Sequence, residues 1–274
     1  MRNIKNIIKS AAVILAASFM LSACGSADPS DIPMSSQYVY NSLSDKEKPV
    51  FNRIYSGVTD YKYKVRVGNL RENEFEDIIM KFYSCGSEFF YMSDEIQYSI
   101  NSDGYVAECY FTYDYYENAT ESMREQLNEK IDEILSGITD DMTDADKLKY
   151  IHDYIVNNTT YDANAMDCDN VYGALIKHKT HCQGYSKSVC CLCDRLGIES
   201  TLVTGTAGGG HMWNMVKVDG KWYNLDVTWD DPDYGSKSRS NYFLISDSTI
   251  SQTHKKDTYM SYPSAPSDYS YISN

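Results

Sequence analysis

The feature that most restricts the fold of this chain is the dipeptide Asp219-Gly220, which lies between two runs of alternating apolar and polar residues. Asp-Gly is favoured at the two central positions of a tight turn whose twist matches that of the antiparallel strands on either side. In a two-residue turn Val218 pairs with Lys221, and each further pair lies one residue further from the turn on both strands. The sequence therefore predicts an antiparallel hairpin with a fixed register.

This register places a histidine and a carboxylate on one face of the predicted hairpin. His211 lies opposite Thr228 and Trp213 lies opposite Asp226, so that His211 and Asp226 are diagonal neighbours. Their backbones would be about 7–8 Å apart, a gap that two polar side chains can close with a hydrogen bond. We expect this pair on the non-core side of the sheet. The other face carries apolar side chains typical of a core: Met212, Val216, Val218, Tyr223, Leu225, Val227 and Trp229.

A cysteine precedes a predicted helix upstream of the hairpin. Apolar residues recur at helical spacing from Val189 to Leu196, and Gly197 follows as a helix-ending residue, so we predict a helix over about 183–196. Cys182 then lies at its N-terminus, where unpaired N–H groups and the helix dipole favour the thiolate. A thiol nucleophile, a histidine base and an acid that orients the histidine are the components of a catalytic triad.

Three segments of the sequence resemble the transglutaminase-like superfamily, whose fold is papain-like. They are His-Cys-Gln-Gly-Tyr-Ser at residues 181–186, Gly-His-Met-Trp-Asn-Met-Val at 210–216 and Tyr-Asn-Leu-Asp-Val-Thr-Trp at 223–229. The resemblance covers about residues 141–250. It implies an α+β fold in which a helix that begins with the catalytic cysteine packs against an antiparallel β-sheet.

Carried over by position, the resemblance makes Cys182 the nucleophile, His211 the general base and acid, and Asp226 the residue that orients the imidazole. It implies acyl transfer through a thioester, with no metal or organic cofactor. The backbone N–H of Cys182 is expected as one oxyanion donor, and Tyr172 is a candidate for the second. Gln183 stands where animal transglutaminases usually have tryptophan, which leaves hydrolysis and amine transfer both open.

The N-terminus predicts export and lipid anchoring. Three basic residues accompany an apolar run at residues 11–20, which is too short to span a membrane comfortably. Leu-Ser-Ala-Cys at 21–24 resembles a bacterial lipobox, which implies cleavage of a signal peptide (1–23) and acylation of Cys24. Residues 24–36 are small and polar and predict a tether. We expect the protein on the outer face of a bacterial membrane. The alternative is an ordinary signal peptide in which Cys24 has no role.

The remainder of the chain divides into three predicted parts. Residues 37–140 carry no motif and predict an N-terminal α/β segment of unassigned role, residues 141–250 the catalytic core, and residues 251–274 a polar C-terminal tail. Cys85 and Cys109 lie in different predicted elements and could form a disulfide. Three further cysteines lie within one predicted helix and are expected as buried thiols: Cys190, Cys191 and Cys193.

Charge excludes one class of partner. The chain has 25 Lys and Arg against 39 Asp and Glu, and its net charge of −14 argues against a general nucleic-acid binder, because phosphate contacts need a basic face. Asp230, Asp231 and Asp233 form an acidic cluster, but their spacing differs from that of a Ca²⁺-binding loop, so a solvated turn is expected instead. His152 and His181 are expected to be ordinary polar residues.

The leading hypothesis is a surface-tethered thiol enzyme that hydrolyses an amide or transfers its acyl group. Extracellular peptides, glutamine side chains of proteins and cell-wall peptides are candidate substrates. The alternative is a non-catalytic surface binding module on the same fold, since one fold can host many functions. Labelling with a thiol electrophile would separate the two hypotheses.

Overall fold

The computed structural model describes residues 8–10, 32–85, 87–231 and 240–270. The fold is α+β, as predicted, with two four-stranded sheets and helices packed against them. The helices are α1 (Met34–Ser42), α2 (Lys48–Thr59), α3 (Glu72–Tyr83), α4 (Glu117–Leu135), α5 (Asp144–Asn158), α6 (Val171–Leu175), α7 (Cys182–Leu196), α8 (Val227–Asp230) and α9 (Asp247–Ile250). The strands are β1 (Ile8–Ser10), β2 (Lys64–Arg71), β3 (Met92–Ile100), β4 (Tyr105–Tyr113), β5 (Thr160–Tyr161), β6 (Lys179–Thr180), β7 (Ser200–Thr206), β8 (Gly210–Val218), β9 (Lys221–Leu225) and β10 (Lys255–Lys256).

The first sheet belongs to the N-terminal segment and has the strand order β1-β3-β4-β2. Within it β4 pairs antiparallel with both β2 and β3. Helices α2 and α3 pack against this sheet. The three-residue β1 pairs in parallel with β3. Because β1 lies within the predicted signal peptide, cleavage before Cys24 would leave β3 at the edge of this sheet.

The second sheet has the order β10-β7-β8-β9 and contains the predicted hairpin. Val218 pairs with Lys221, and the same register continues to Asn214 and Leu225. The turn residues between these strands, Asp219 and Gly220, have φ angles of 50° and 76°. Positive φ at both positions is what a turn of this type requires, so the local sequence sets the register of the sheet.

The hairpin ends earlier than expected. β9 stops at Leu225, because Asp226 becomes the N-cap of α8 and its Oδ1 accepts the backbone N–H of Trp229 at 3.1 Å. A helical turn therefore replaces the predicted pairing of Thr228 with His211. Trp229, expected on the core face, is 37% exposed. The expectation was wrong here because an aspartate side chain that can cap a helix competes with continuation of the strand.

Both faces of the second sheet are buried, whereas the face that carries His211 was expected on the non-core side. Trp213 and Met215 on that face are fully buried and form a cluster with Ala265. The segment predicted as a polar tail supplies this cover, and it also supplies β10, which pairs with β7 through Lys255 and Lys256.

Helix α7 packs across β8 and carries Cys182 to the sheet. Ser186, one turn along α7, donates its hydroxyl to the backbone oxygen of Met212 at 2.9 Å, and its own backbone oxygen accepts the Asn214 amide at 3.0 Å. The helix ends at Gly197, whose φ of 70° gives the left-handed C-terminal cap that the sequence predicts. Side-chain bonds thus fix the helix relative to the strand that bears His211.

The N-terminal segment is joined to the same core. Helix α1 runs into this segment from the predicted tether, and the backbone N–H and the hydroxyl of Ser35 in α1 both contact the Asp194 carboxylate of α7 at 2.7 Å. One apolar cluster contains side chains from Ile32 to Met260. Cys85 and Cys109 are free thiols, so the disulfide considered for them is not formed.

The predicted lipid attachment falls outside these ranges. Cys24, most of the predicted signal peptide and most of the tether are not among the described residues. Of the helices in the described ranges, none has the length and apolar character needed to cross a membrane.

Gly184 provides a test of how closely α7 is packed. A Cβ at this position would lie 1.8 Å from the Thr180 hydroxyl and 2.7 Å from the backbone oxygen of Asn170. We expect Gly184→Ala to lower the free energy of unfolding by about 1–3 kcal/mol through overpacking, despite the higher helix propensity of alanine. Gly209→Ala is the control, because a Cβ there meets nothing within 4 Å. Urea unfolding monitored by circular dichroism measures both; equal stability of the two variants would contradict the packing argument.

Candidate active site

The site begins with Cys182, the first residue of α7, which is 3% exposed. His181 is the N-cap, and its Nδ1 accepts the backbone N–H of Gln183 at 3.2 Å. The same Nδ1 lies 4.0 Å from the Cys182 sulfur. His181 is therefore a buried structural cap beside the thiol rather than the ordinary polar residue expected from the sequence.

The thiol of Cys182 is activated by its neighbours. Burial alone would raise its pKa, because burial disfavours the charged form. Hydrogen bonds and charge interactions with His181 and His211 outweigh burial and lower the pKa to about 6. Cys182 is thus largely a thiolate at neutral pH, the nucleophilic form of cysteine.

The other cysteines of α7 have the opposite character. Burial and the nearby Asp194 carboxylate raise the pKa of each, to about 12 for Cys191 and further for Cys190 and Cys193. They remain protonated at neutral pH. One helix therefore carries a single activated thiol, at its N-terminus, and three protonated ones. Cys190 and Cys193 are buried as expected, whereas Cys191, also expected to be buried, is half-buried.

His211 on β8 contacts Asp226 at the N-cap of α8. The distance from His211 Nε2 to Asp226 Oδ2 is 2.6 Å, which is the contact that the hairpin register predicts. Because a carboxylate only accepts, Nε2 carries the proton, and Nδ1 is the nitrogen left for Cys182. Burial lowers the pKa of His211, but the bonds to Asp226 and Cys182 raise it to about 9. Between about pH 6 and 9 the three groups form a thiolate, an imidazolium and a carboxylate.

A second histidine, missed in the sequence, contacts the same carboxylate. His254 Nε2 lies 2.9 Å from Asp226 Oδ2, and both side chains are fully buried. Hydrogen bonds from His211 and His254 keep the pKa of Asp226 below its usual value, although burial opposes this. His254 lies in the polar segment predicted as a tail, where a single histidine without a periodic pattern gives no signal.

A second buried pair lies just behind the first. His152 Nε2 is 3.1 Å from Asp230 Oδ2, both side chains are fully buried, and Asp230 also accepts the backbone N–H of Tyr242 at 3.0 Å. Asp230 and His152 are therefore not a solvated acid and an ordinary polar residue, as the sequence suggested. The aspartate is drawn inward because α8 turns its side chain towards α5. Asp233 lies outside the described residues.

Three of these groups could also bind a metal ion. His211, Asp226 and His254 each offer a ligand atom, and these atoms lie within 4.8 Å of one another. Both imidazoles, however, point Nε2 at one carboxylate oxygen over 2.6 and 2.9 Å, which is hydrogen-bond geometry. The N–H groups of both imidazoles are already hydrogen-bonded to the Asp226 carboxylate. The arrangement therefore fits an acid–base site better than a metal centre.

Tyr172, the candidate for a second oxyanion donor, does not fit that role. Its hydroxyl contacts Gln126 Oε1 at 2.8 Å, and its backbone N–H donates to Asn170 Oδ1 at 3.0 Å. Both of its donors are engaged within the fold.

A cavity of about 750 Å³ is lined in part by His181, the residue before Cys182 in the chain. Its wall is acidic, and burial together with the neighbouring Asp169 raises the pKa of Asp94 to about 6. The carboxylates along the wall are Asp94, Asp114, Asp167 and Asp169.

The sequence of residues 129–227 matches the family model of the transglutaminase-like superfamily. This part of the chain is therefore similar to transglutaminase-like domains. The matched range includes Cys182, His211 and Asp226, whereas His254 lies beyond it. A search of the curated proteins finds no match to this chain.

Solved structures similar to this chain include a protein described as a TGase, with 17% identity and a TM-score of 0.33. The match covers 55% of this chain and 55% of that protein. Menin is another, with 20% identity, a TM-score of 0.32, and coverage of 43% of this chain and 28% of menin. A third is the periplasmic domain of TgpA from Pseudomonas aeruginosa, with 13% identity, a TM-score of 0.30, and coverage of 47% and 61%. This chain thus spans little more than half the length of the first of them.

The charged groups around Cys182 predict how the thiols of α7 react. Alkylation by iodoacetamide, mapped by peptide mass spectrometry across pH, should modify Cys182 first, with a midpoint near pH 6. Because the thiolate is stabilised by His211, the variant His211→Ala should move the midpoint towards the value of about 8.5 for a free thiol. Asp226→Asn should move it less. Cys191 serves as the internal control, and its earlier labelling would contradict this assignment.

Proposed function

We propose that this protein is a cell-surface thiol enzyme that acts on amide bonds by acyl transfer through a cysteine thioester. The observation that carries the proposal is the contact series Cys182–His211–Asp226. It joins a thiol with a pKa lowered to about 6 to a buried imidazole, which in turn lies 2.6 Å from a buried carboxylate. These three side chains have the chemistry that a nucleophile, a base and an orienting acid need, which supports the proposal.

The proposed reaction has two steps. The Cys182 thiolate attacks the amide carbonyl carbon, and the imidazolium of His211 gives its proton to the leaving nitrogen as the C–N bond breaks. The acyl group is then a thioester on Cys182. In the second step His211 takes a proton from water or from an amine as that nucleophile attacks, and the thiolate leaves. Asp226 keeps the imidazole in the orientation that both transfers need. Acid–base participation by a positioned histidine typically contributes about 10²–10⁴-fold to the rate.

The nucleophile of the second step decides between hydrolase and transferase. The proposed substrates are extracellular peptides, proteins with accessible glutamine side chains, and cell-wall peptides. Gln183 beside the nucleophile departs from the tryptophan of animal transglutaminases, and this favours water as the acceptor. Neither step needs a metal or an organic cofactor, because all proton transfers are assigned to the histidine.

The reaction class can be tested with glutamine-containing peptides incubated with and without methylamine. If hydrolysis dominates, we expect cleavage or deamidation of the peptide. If transfer dominates, we expect loss of ammonia and incorporation of methylamine. Mass spectrometry detects both results. Cys182→Ala should reduce turnover by about 10³-fold or more, because the nucleophile is lost. Cys191→Ala, in the same helix, is the matched control and should retain activity. Equal turnover by Cys182→Ala and the unaltered protein would contradict the proposal. Ordinary reactivity of Cys182 without turnover would favour the binding-module alternative.

We also propose that Cys24 is acylated and holds the enzyme on the outer face of a bacterial membrane, on the strength of the lipobox-like Leu-Ser-Ala-Cys at residues 21–24. Cys24→Ala should abolish incorporation of labelled fatty acid and release the protein from the membrane fraction. Ser26→Ala, in the same predicted tether, should change neither. Unaltered fatty-acid labelling of Cys24→Ala would refute the anchor.

A further inference from the structure

His254 shares one carboxylate oxygen with His211. Asp226 Oδ2 lies 2.6 Å from Nε2 of His211 and 2.9 Å from Nε2 of His254, and Oδ1 of the same carboxylate accepts the Trp229 N–H at 3.1 Å. The mechanism proposed above uses His211 and leaves His254 without a role. A fully buried carboxylate is costly unless hydrogen bonds compensate its charge, and His254 supplies one of three such bonds.

The backbone holds His254 in place independently of this bond. His254 precedes β10, whose Lys255 and Lys256 pair with β7, and its own N–H donates to the Ile250 oxygen at 2.9 Å. The imidazole of His254 is thus placed beside Asp226 by a strand of the same sheet that carries His211. The pairing of β10 with β7 sets its position, independently of the hydrogen bond to Asp226.

Both ring nitrogens of His254 have a polar neighbour. Its Nδ1 lies 2.7 Å from the Thr253 hydroxyl. Because a carboxylate only accepts, Nε2 carries a proton that is directed at Asp226. Thr253 itself is exposed.

Aromatic rings exclude water from this contact. The centroid of the His254 ring lies 4.7 Å from that of Trp229, 5.1 Å from that of Trp213 and 5.4 Å from that of Tyr242. In such surroundings a hydrogen bond to a charged group is stronger than in water, and its loss costs more. The ring of His211 lies beside this group, 5.3 Å from His254.

The charged and titratable groups around Asp226 come from several elements. His211 on β8 and His254 before β10 donate to it, Cys182 on α7 lies beyond His211, and Asp230 on α8 adds a like charge. Asp230 is balanced by His152. Loss of His254 would leave Asp226 with one imidazole and a neighbouring acid, conditions that favour its neutral form.

We infer that His254 is a positioning residue for the reaction of Cys182: it holds the Asp226 carboxylate ionised and directed at His211. The inference rests on the proposed function, since it assigns His254 to the same triad. A neutral or rotated Asp226 would no longer stabilise the imidazolium of His211, and the thiolate of Cys182 would lose its counter-ion.

The test compares two replacements of His254. His254→Gln retains an amide N–H near the position of Nε2, whereas His254→Phe keeps a ring of similar size but has no donor. The readout is the rate of iodoacetamide alkylation of Cys182 against pH, with urea unfolding measured on the same samples. We expect His254→Phe to move the midpoint from about pH 6 towards the value of about 8.5 for a free thiol. The rate at pH 6.5 should then fall by about 10- to 100-fold. His254→Gln should restore most of that rate.

A third variant keeps the inference testable if His254→Phe does not fold. Thr253→Val removes the hydroxyl that contacts His254 Nδ1 but changes only an exposed side chain, and it should shift the midpoint in the same direction by less. The inference would be overturned if His254→Phe folds and its midpoint is unaltered. If His254→Phe does not fold, an unaltered midpoint in Thr253→Val would overturn it. Either result would leave the proposed function standing. A wild-type midpoint near that of a free thiol would overturn both, because Cys182 would then not be activated.

Discussion

The buried carboxylate of Asp226 is the interaction on which the rest of this site depends. It is fully buried and accepts hydrogen bonds from His211, from His254 and from the backbone of Trp229. These donors come from β8, from the segment before β10 and from α8, so three parts of the chain meet at one negative charge. Removing that charge from water is unfavourable, and the fold recovers the loss only when all three parts are in place. The same carboxylate that orients the imidazole therefore also organises the sheet edge.

The helix that carries the candidate nucleophile is fixed from two sides. On one side Ser186 and Asn214 join α7 to β8, and on the other Ser35 of α1 binds Asp194. Helix α1, which runs from the predicted tether into the N-terminal segment, thus contributes to the rigidity of the site. Rigid support of this kind matters because a shift of about 1 Å in a reacting group can cost two orders of magnitude in rate.

Sequence patterns predicted what is local and missed what is not. The turn at Asp219-Gly220 determined the hairpin register, and helix periodicity with Gly197 located α7, because both depend on neighbouring residues alone. The end of β9 was misplaced, since the side chain of Asp226 caps α8 and thereby competes with continuation of the strand. Asp230 and His254 gave no sequence signal, because their partners are distant in the chain and only tertiary packing brings them inward. The burial of both sheet faces likewise depends on a C-terminal segment whose composition is polar.

The order of the site residues along the chain has a consequence for biosynthesis. Cys182 is made first, then His211 and Asp226, and His254 follows 28 residues after Asp226. A nascent chain that has not yet exposed residue 254 holds the candidate triad in sequence but lacks the His254 donor to its carboxylate. Such a chain acquires the full support of the candidate nucleophile only after residue 254 has been made and β10 has joined the sheet. The order of synthesis and the completion of the site are therefore coupled by topology.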